Sequence, residues 1–360
     1  MVKESITNLA RFVEAVGFEA VWVGVDVHKR SYHVALRSES GMREAFVAPS
    51  DPGMLASQLI HLGLRIALVV YEAGPTGFGL ARALEAKGLP VFVVAPSKIL
   101  RPVRPGAKTD RLDCLKLAEF AAKGLAKPIA VPSQEEEADR SLIRRRHQVV
   151  DDLRRSKQRI KSLLLCNGAA EPPGLATWSK RSIARLERIS LPGRAKGSLM
   201  SMVRELRFEA KELARIDQEL KRLAGLKRHR ARVAAVRSVP GVGPVTAMAF
   251  CLEIFRPCRF KRPEEIAGYL GLAPMVRHSG EGKKRGRIVP TGQKRLRSFL
   301  IEAAWSWKRY DPAAKEFYNR ILARCGVPQK AITALARKLA IVMWRLCLEQ
   351  RAFSSTAVNV

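Results

Sequence analysis

Three short runs of alternating apolar residues crowd the first fifty positions, and apolar runs separated by helix-period segments follow them. This switch from period two to period 3.6 constrains the fold more than any other feature of the chain. From Trp22 the segments VWVGVDVH, SYHVALRSES and MREAFVAPS are separated by hairpin-length gaps, so they predict an antiparallel meander. Asp51, Pro52 and Gly53 then open the helical segment MLASQLIHLG, and RIALVVYEAG is a strand of the fully buried kind. GPTGFGLARALEAKG is a helix ending at Gly88, LPVFVVAP a fifth strand closed by Pro96, and TDRLDCLKLAEFAAKG a helix capped by Thr109 or Asp110.

The resulting order, βββαβαβα, predicts a mixed five-stranded sheet with helices on its faces, the arrangement of ribonuclease-H-like nuclease domains. Downstream, apolar residues recur at helical spacing from Gln134 to about Cys166 and from about Leu199 to Val236. The proline- and glycine-bearing stretch NGAAEPPGLATWSKRS turns the chain between them. The pair reads as an antiparallel helical hairpin or, equally, as a coiled-coil dimerisation arm. SVPGVGPVTAMAFCLEIF has the shape of a helix-hairpin-helix element, in which Gly241 and Gly243 let backbone N–H groups approach a phosphate. PEEIAGYLGLAP supplies a further helix, MVRHSGEGKKRGRIVPTGQKRLR a glycine-broken basic loop, and the remainder is helical. The expected organisation is an N-terminal extension over 1–20, an α/β domain over 21–130 and a helical coiled-coil linker over 131–235. A mostly α domain over 236–352 and a frayed tail over 353–360 complete it.

Charge narrows the function. Lys and Arg number 65 against 33 Asp and Glu, a formal excess of +32, and 27 of those charges fall after residue 130. Arg outnumbers Lys 42 to 23, and the guanidinium fork suits phosphate oxygens. The polyanion expected is nucleic acid rather than a membrane surface. The sequence lacks the roughly 18 uninterrupted apolar residues of a membrane helix, and its start mixes charges where a signal peptide needs an apolar block. A soluble, cytoplasmic, nucleoid-associated protein is expected. The six cysteines fit no zinc spacing, Cys251 and Cys258 being seven apart at the closest, so they read as buried reduced thiols.

Four acids stand where this topology can hold metal. Asp26 sits mid-strand in an apolar run, a costly place for a charge without a cation. Glu72 closes a strand expected beside the first, and Asp110 and Asp113, three apart, share one face at a helix start. Hard oxygen ligands gathered in this way select Mg²⁺ or Mn²⁺, and two such ions could flank a phosphodiester. His28 shares the strand face of Asp26 and reads as a packed or supporting residue.

With these residues in hand, the chain resembles the DEDD transposases of insertion-sequence family 110, the bridge-RNA-guided recombinases. The segments VGVDVHKRSYHVAL, VVYEAGPTGFGLARAL and KTDRLDCLKLAEF resemble that family's resolvase-like catalytic domain. VPGVGPVTAMAF, IAGYLGLAP and SGEGKKRGRIVPTGQKRLRSFLIEAAW resemble its C-terminal transposase domain. The resemblance implies Asp26, Glu72, Asp110 and Asp113 as the metal-holding set and Ser279 as the nucleophile. Family members often carry two serines before the first glycine of this loop, whereas this chain reads His278-Ser279-Gly280.

The implied reaction is attack of Ser279 on phosphorus, giving a covalent phosphoserine intermediate from which strands are rejoined without a nucleotide cofactor. Lys283, Lys284, Arg285 and Arg287, with Lys294 and Arg295, are the expected phosphate contacts of the basic loop. The implied partners are donor and target DNA duplexes, a bridge RNA, and further copies of the chain as a dimer assembling to a tetramer. Two other functions use the same residues: a hydrolytic Mg²⁺-dependent nuclease of the Holliday-junction kind, and a non-catalytic nucleic-acid binder.

Overall fold

The computed structural model describes residues 2–98, 110–279, 282–288 and 292–355. It divides into two units, residues 1–132 and 133–360.

In the first unit, α1 (Val2–Val16) precedes β1 (Ala20–Val27), β2 (Ser31–Ser38) and β3 (Arg43–Pro49). Then come α2 (Pro52–His61), β4 (Arg65–Glu72), α3 (Gly79–Ala86), β5 (Val91–Val94) and α4 (Asp110–Ala122). The five strands lie in the order β3-β2-β1-β4-β5. The meander is antiparallel, and β4 and β5 run parallel to β1, as the alternation predicts. Two details differ. Within the expected N-terminal extension, α1 buries Phe12 and Val16 in the core, and the first strand begins at Ala20. Thr109, one of the two cap candidates for α4, lies outside the described residues.

Strand alternation divides the sheet into two faces. Val21, Val23, Val25, Val69 and Tyr71 are buried with Leu55 and Leu59 of α2 and Leu80 and Leu84 of α3. Asp51 caps α2, accepting from the Met54 amide at 2.8 Å. On the other face Trp22 and Val70 pack with Leu117 and Ala121 of α4, and Ala35 packs with Cys114 and Ala118. Gly24 lets α4 down onto the sheet. A Cβ there would lie 2.0 Å from the Cys114 carbonyl oxygen and 2.5 Å from the Ala118 nitrogen, so a hydrogen is the only substituent that fits.

The second unit is helical except for one hairpin. It comprises α5 (Gln134–Cys166), α6 (Lys180–Leu186), α7 (Ala195–Gly225), α8 (Lys227–Arg237), α9 (Pro244–Ile254) and α10 (Pro263–Tyr269). There follow β6 (Pro274–Ser279), β7 (Gly282–Ile288), α11 (Lys294–Tyr310), α12 (Pro312–Cys325) and α13 (Pro328–Glu349). A capping box of Ser133 and Glu136 starts α5. α5 and α7 form the antiparallel pair, tied by Arg146 to Asp217 and by Arg159 to Glu205. The long second helix predicted through Val236 is instead two helices, because Leu226 takes extended backbone (ψ 145°) after Gly225. The glycine-broken basic loop is also corrected: its first part is the antiparallel hairpin β6–β7. Phe353, assigned to the frayed tail, packs on Trp307 and donates its amide to Ser238 Oγ at 2.7 Å.

Helices from both halves of this unit share one apolar core, in which Leu164, Leu206, Phe250, Trp307 and Leu339 are buried. Across it Glu253 of α9, 6% exposed, accepts hydrogen bonds from Arg144 (2.9 and 3.0 Å) and Arg140 (3.2 Å) of α5. All six cysteines are free, but only Cys114, Cys251 and Cys347 are buried; Cys166 and Cys258 are exposed and Cys325 is half-buried, against the expectation that most are inside. Among the described residues no helix is long and apolar enough to cross a membrane.

Two outcomes follow from this packing. Gly24→Ala pushes α4 off the sheet and lowers unfolding stability by about 1–3 kcal/mol, measurable by urea titration. Glu253 is the second case: burial alone would raise its pKa, but the hydrogen bond and charge of Arg144, with Arg140, hold it below 4.5. A depressed carboxylate stabilises above its unfolded pKa and loses that contribution as pH falls through the folded value. Thermal stability therefore drops on acidification below about pH 4.5, and Glu253→Gln both flattens that drop and costs on the order of 3 kcal/mol at neutral pH.

Candidate active site

β1 carries the first candidate acid on the face that meets α4. Gly24 pairs with Val70 and Val25 with Tyr71 across the parallel β1–β4 ladder. One step further in that register Asp26 stands beside Glu72, on the same face, with the backbones one strand spacing of about 4.8 Å apart. On the other side of β1, Asp26 pairs with His33 of β2. His33, Asp26 and Glu72 thus form a row across three adjacent strands.

The direction of α4 brings its start to this row. Trp22 packs beside Leu117 and Ala121, and Gly24 lies under Cys114 and Ala118, so moving from Trp22 to Asp26 moves back toward the N-terminus of the helix. There the chain carries Asp110 and Asp113. Burial, with a smaller contribution from the nearby charge of Asp26, pushes the Cys114 thiol up to about 11. Asp113 is partly exposed and its Oδ1 accepts from Lys116 Nζ at 3.2 Å. Asp110 begins the helix, and its side chain lies outside the described residues.

A second layer surrounds Asp26. Its Oδ2 lies 3.1 Å from His28 Nε2, and the His28 ring meets the His33 ring edge to face at 5.7 Å. His28 therefore supports Asp26, the role its strand position suggested. His33 was not singled out from sequence; cross-strand register, which an alternating meander specifies, is the signal that finds it.

The structure thus brings Asp26 and Glu72 together and aims the start of α4 at them, all within the first unit. Among the described residues no three His, Cys, Asp or Glu side chains converge as a ready metal cluster. The donor chemistry nevertheless suits a hard divalent ion: neighbouring carboxylates, one half-buried and one exposed.

The remaining candidates belong to the second unit. Ser279 ends β6 and pairs with Gly282 of β7, while His278 pairs with Lys283, Arg277 with Lys284 and Val276 with Arg285. The side chains of Ser279, Lys283, Lys284, Arg285 and Arg287 lie outside the described residues. Lys294 and Arg295 open α11 and are exposed. Gly241 adopts a φ of +84°, and a Cβ there would lie 2.7 Å from the Trp307 nitrogen, so the turn and its seat on α11 are reason enough for glycine. Gly243 caps α9, and nothing lies within 4 Å of where its Cβ would be.

A model of the DEDD transposases of IS110 matches residues 23–166. A model of the IS116/IS110/IS902 transposase family matches residues 233–319. The y4qE protein of Sinorhizobium fredii, described as a transposase, is 30% identical over 375 aligned positions, covering 94% of this chain and 91% of the relative. The transposase of insertion sequence element IS1111A from Coxiella burnetii is 25% identical, covering 81% of this chain and 80% of its own. The pilin gene-inverting protein of Moraxella bovis is 26% identical, covering 92% and 97%. These matches span both units, and their N-terminal part contains all four acids on the sheet and α4: the chain belongs to the IS110 family of DEDD transposases.

Proposed function

We propose that the protein is the DNA transposase of an insertion sequence, which cuts and rejoins strands through a covalent bond between Ser279 and DNA. The observation that carries this reading is the same-face pairing of Asp26 with Glu72 at the sheet edge toward which the start of α4 is directed. The mixed sheet with its β3-β2-β1-β4-β5 order is consistent with a ribonuclease-H-like domain. Residues 21–130 are its catalytic domain, 131–235 a helical linker and 236–352 the transposase domain.

Asp26, Glu72, Asp110 and Asp113 would hold Mg²⁺ or Mn²⁺, which when bound polarises the scissile phosphate and neutralises the crowded carboxylates. His28 orients Asp26 and limits its rotation. The Ser279 oxygen forms a bond to phosphorus as a phosphorus–oxygen bond of the DNA strand breaks. The hydroxyl proton is lost, and the departing DNA oxygen gains one. Because the serine ester retains the energy of the phosphodiester, a second DNA hydroxyl can reverse the step and rejoin strands. Lys283, Lys284, Arg285 and Arg287 supply the positive field that favours the serine oxyanion. Gly243 at the open start of α9 offers a backbone contact to phosphate.

The relative that inverts pilin genes supports recombination over simple hydrolysis. Joining donor and target duplexes requires several active sites at once, so the working form is a dimer that becomes a tetramer on nucleic acid, guided by a bridge RNA. It acts in the cytoplasm, on the nucleoid.

The test is a denaturing gel of labelled DNA incubated with the protein, its cognate RNA and Mg²⁺. A protein–DNA adduct forms with wild type and is lost in Ser279→Ala. Asp26→Asn and Glu72→Gln lower cleavage by a factor of roughly a hundred or more while leaving DNA binding in place. Full cleavage by Ser279→Ala would instead identify a hydrolytic nuclease, and absence of Mg²⁺-dependent cleavage in wild type a binding protein.

A further inference from the structure

The second unit holds a cavity of about 640 Å³ where α7, α8 and α9 meet. Its origin is the break at Leu226, whose extended backbone (ψ 145°) ends α7 and breaks the helical path before α8. One stripe of each helix then borders a common space. The floor is apolar, formed by Leu220 of α7, Val233 of α8 and Val245 and Met248 of α9.

The rim is cationic. Lys221, Arg230 and Arg237 line the same cavity and are exposed, and their side chains have no ion-pair or hydrogen-bond partner among the described residues. That sets them apart in this unit, where Arg140, Arg144, Arg228 and Arg256 each meet a carboxylate. The one acid in the lining, Asp217, is already neutralised by Arg146. A single exposed cation is satisfied by water. Three around one apolar cavity, with no unneutralised acid among them, make a surface complementary to a ligand that is apolar in its body and anionic at its edges.

That combination selects the ligand. A duplex keeps its bases stacked inside and offers a protein phosphates and groove edges, which an open basic surface meets without a cavity. A nucleotide whose base has left the stack offers an apolar face to the floor and its neighbouring phosphates to the rim. The volume falls within the roughly 300–1,000 Å³ of small-ligand sites, room enough for one such nucleotide. Leu220, Val233 and Val245 supply aliphatic surface to the base, and the Met248 thioether is a polarizable group that contacts aromatic rings favourably. Arg230 and Arg237 stand two turns apart on α8, about 10.5 Å along its axis, a spacing that suits two phosphates rather than one. A strand freed from its duplex is also what cutting and rejoining DNA must produce, so the chain's own reaction supplies the occupant.

We infer that the cavity between α7, α8 and α9 binds an unstacked nucleotide of a single DNA strand, its base on the floor of Leu220, Val233, Val245 and Met248 and its neighbouring phosphates on the basic rim. The inference rests on the transposase reading and gives that reading a strand-holding site, built from residues to which the cutting step assigns no role.

The full-length protein serves for the test. Fluorescence anisotropy compares four labelled probes: a short single DNA strand, an abasic deoxyribose-phosphate chain of the same length, the corresponding duplex, and RNA of the same sequence. Wild type holds the DNA strand about tenfold more tightly than the abasic chain. Ala234→Phe, which fills the cavity from an exposed position on α8, abolishes that difference and leaves affinity for the abasic chain unchanged. Arg230→Gln and Arg237→Gln each lower the slope of log K against log salt for the single strand by about 0.7. A strand carrying 5-iodouracil, irradiated in the wild-type complex, crosslinks within residues 217–248.

Equal affinity of wild type for the strand and the abasic chain, or a crosslink confined to other residues, would overturn the proposal without any variant. So would an Ala234→Phe protein of unchanged melting temperature that still distinguishes the two. If Ala234→Phe does not fold, the abasic comparison and the crosslink decide. Tighter binding of RNA than of DNA would overturn the DNA assignment. Loss of self-association in Ala234→Phe, with strand affinity intact, would give the cavity to a second copy of the chain. Failure of wild type to bind either strand or duplex would count against the transposase reading itself, whereas duplex binding with no discrimination between the strand and the abasic chain defeats the cavity alone.

Discussion

The seating of α4 on Gly24 fixes the candidate chemistry of the first unit. A helix ordinarily rests on a sheet about 10 Å away, through side chains on both partners. Here its backbone touches the strand, because the Cβ position of Gly24 is occupied by the Cys114 carbonyl and the Ala118 amide. Small residues clear the rest of the contact, with Ala35 and Ala118 on either side of Cys114. Such a close approach cannot slide by a turn without a clash, so the end of α4 that carries Asp110 and Asp113 is set relative to Asp26 by packing alone. The ladder to β4 then sets Glu72. The placement of the candidate acids is thereby delegated to buried apolar contacts, which cost no charge burial and leave Asp26 and Glu72 at the solvent edge.

The second unit solves a different problem: it must hold a large surplus of positive charge and still pack. Some of its basic side chains are neutralised within one helix, as Arg155 is by Asp152 and Arg215 by Glu212, and others where they cross between helices. Arg140 and Arg144 meet Glu253, Arg146 meets Asp217, and Arg228 with His229 meets Asp139. Arg259 is handled without an acid, its guanidinium lying 4.3–4.6 Å from the rings of Phe255, Phe260 and Tyr269. Stacking of this kind stabilises a half-buried cation through ring quadrupoles, although Nε and one Nη of Arg259 have no hydrogen-bond partner among the described residues.

The sheet was legible because each of its strands shows either strict alternation or a β-branched run, with a turn residue at each end. Asp26 and Glu72 could be placed for the same reason: adjacency of β1 and β4 follows from the βαβ crossover. His33 needed one further inference, the register of the hairpin. The hairpin β6–β7 escaped notice because PMVRHS and GKKRGRI lack an apolar face; pairing there rests on backbone bonds that leave no periodic trace in side-chain type. The break at Leu226 was equally silent, since GLKRHRARVAAV continues a helical pattern after a glycine that helices tolerate. His147 could not be read from sequence at all. It sits in RRRHQVV on a helix crowded with charge, and only tertiary packing decides that its ring turns inward while its arginine neighbours reach outward or across.

That contrast explains why chemistry was easier to find on the sheet than among the helices. In a strand, side-chain direction is set by position modulo two, so a polar residue at a buried position announces itself. In a helix of 33 residues such as α5, the buried stripe wanders as the partner changes from α7 to α9, and a polar residue on its border can face either way. Ile143, His147 and Val149 are all buried on α5, yet only the first and last are apolar. A histidine among them costs stability, since neither of its buried ring nitrogens has a hydrogen-bond partner among the described residues.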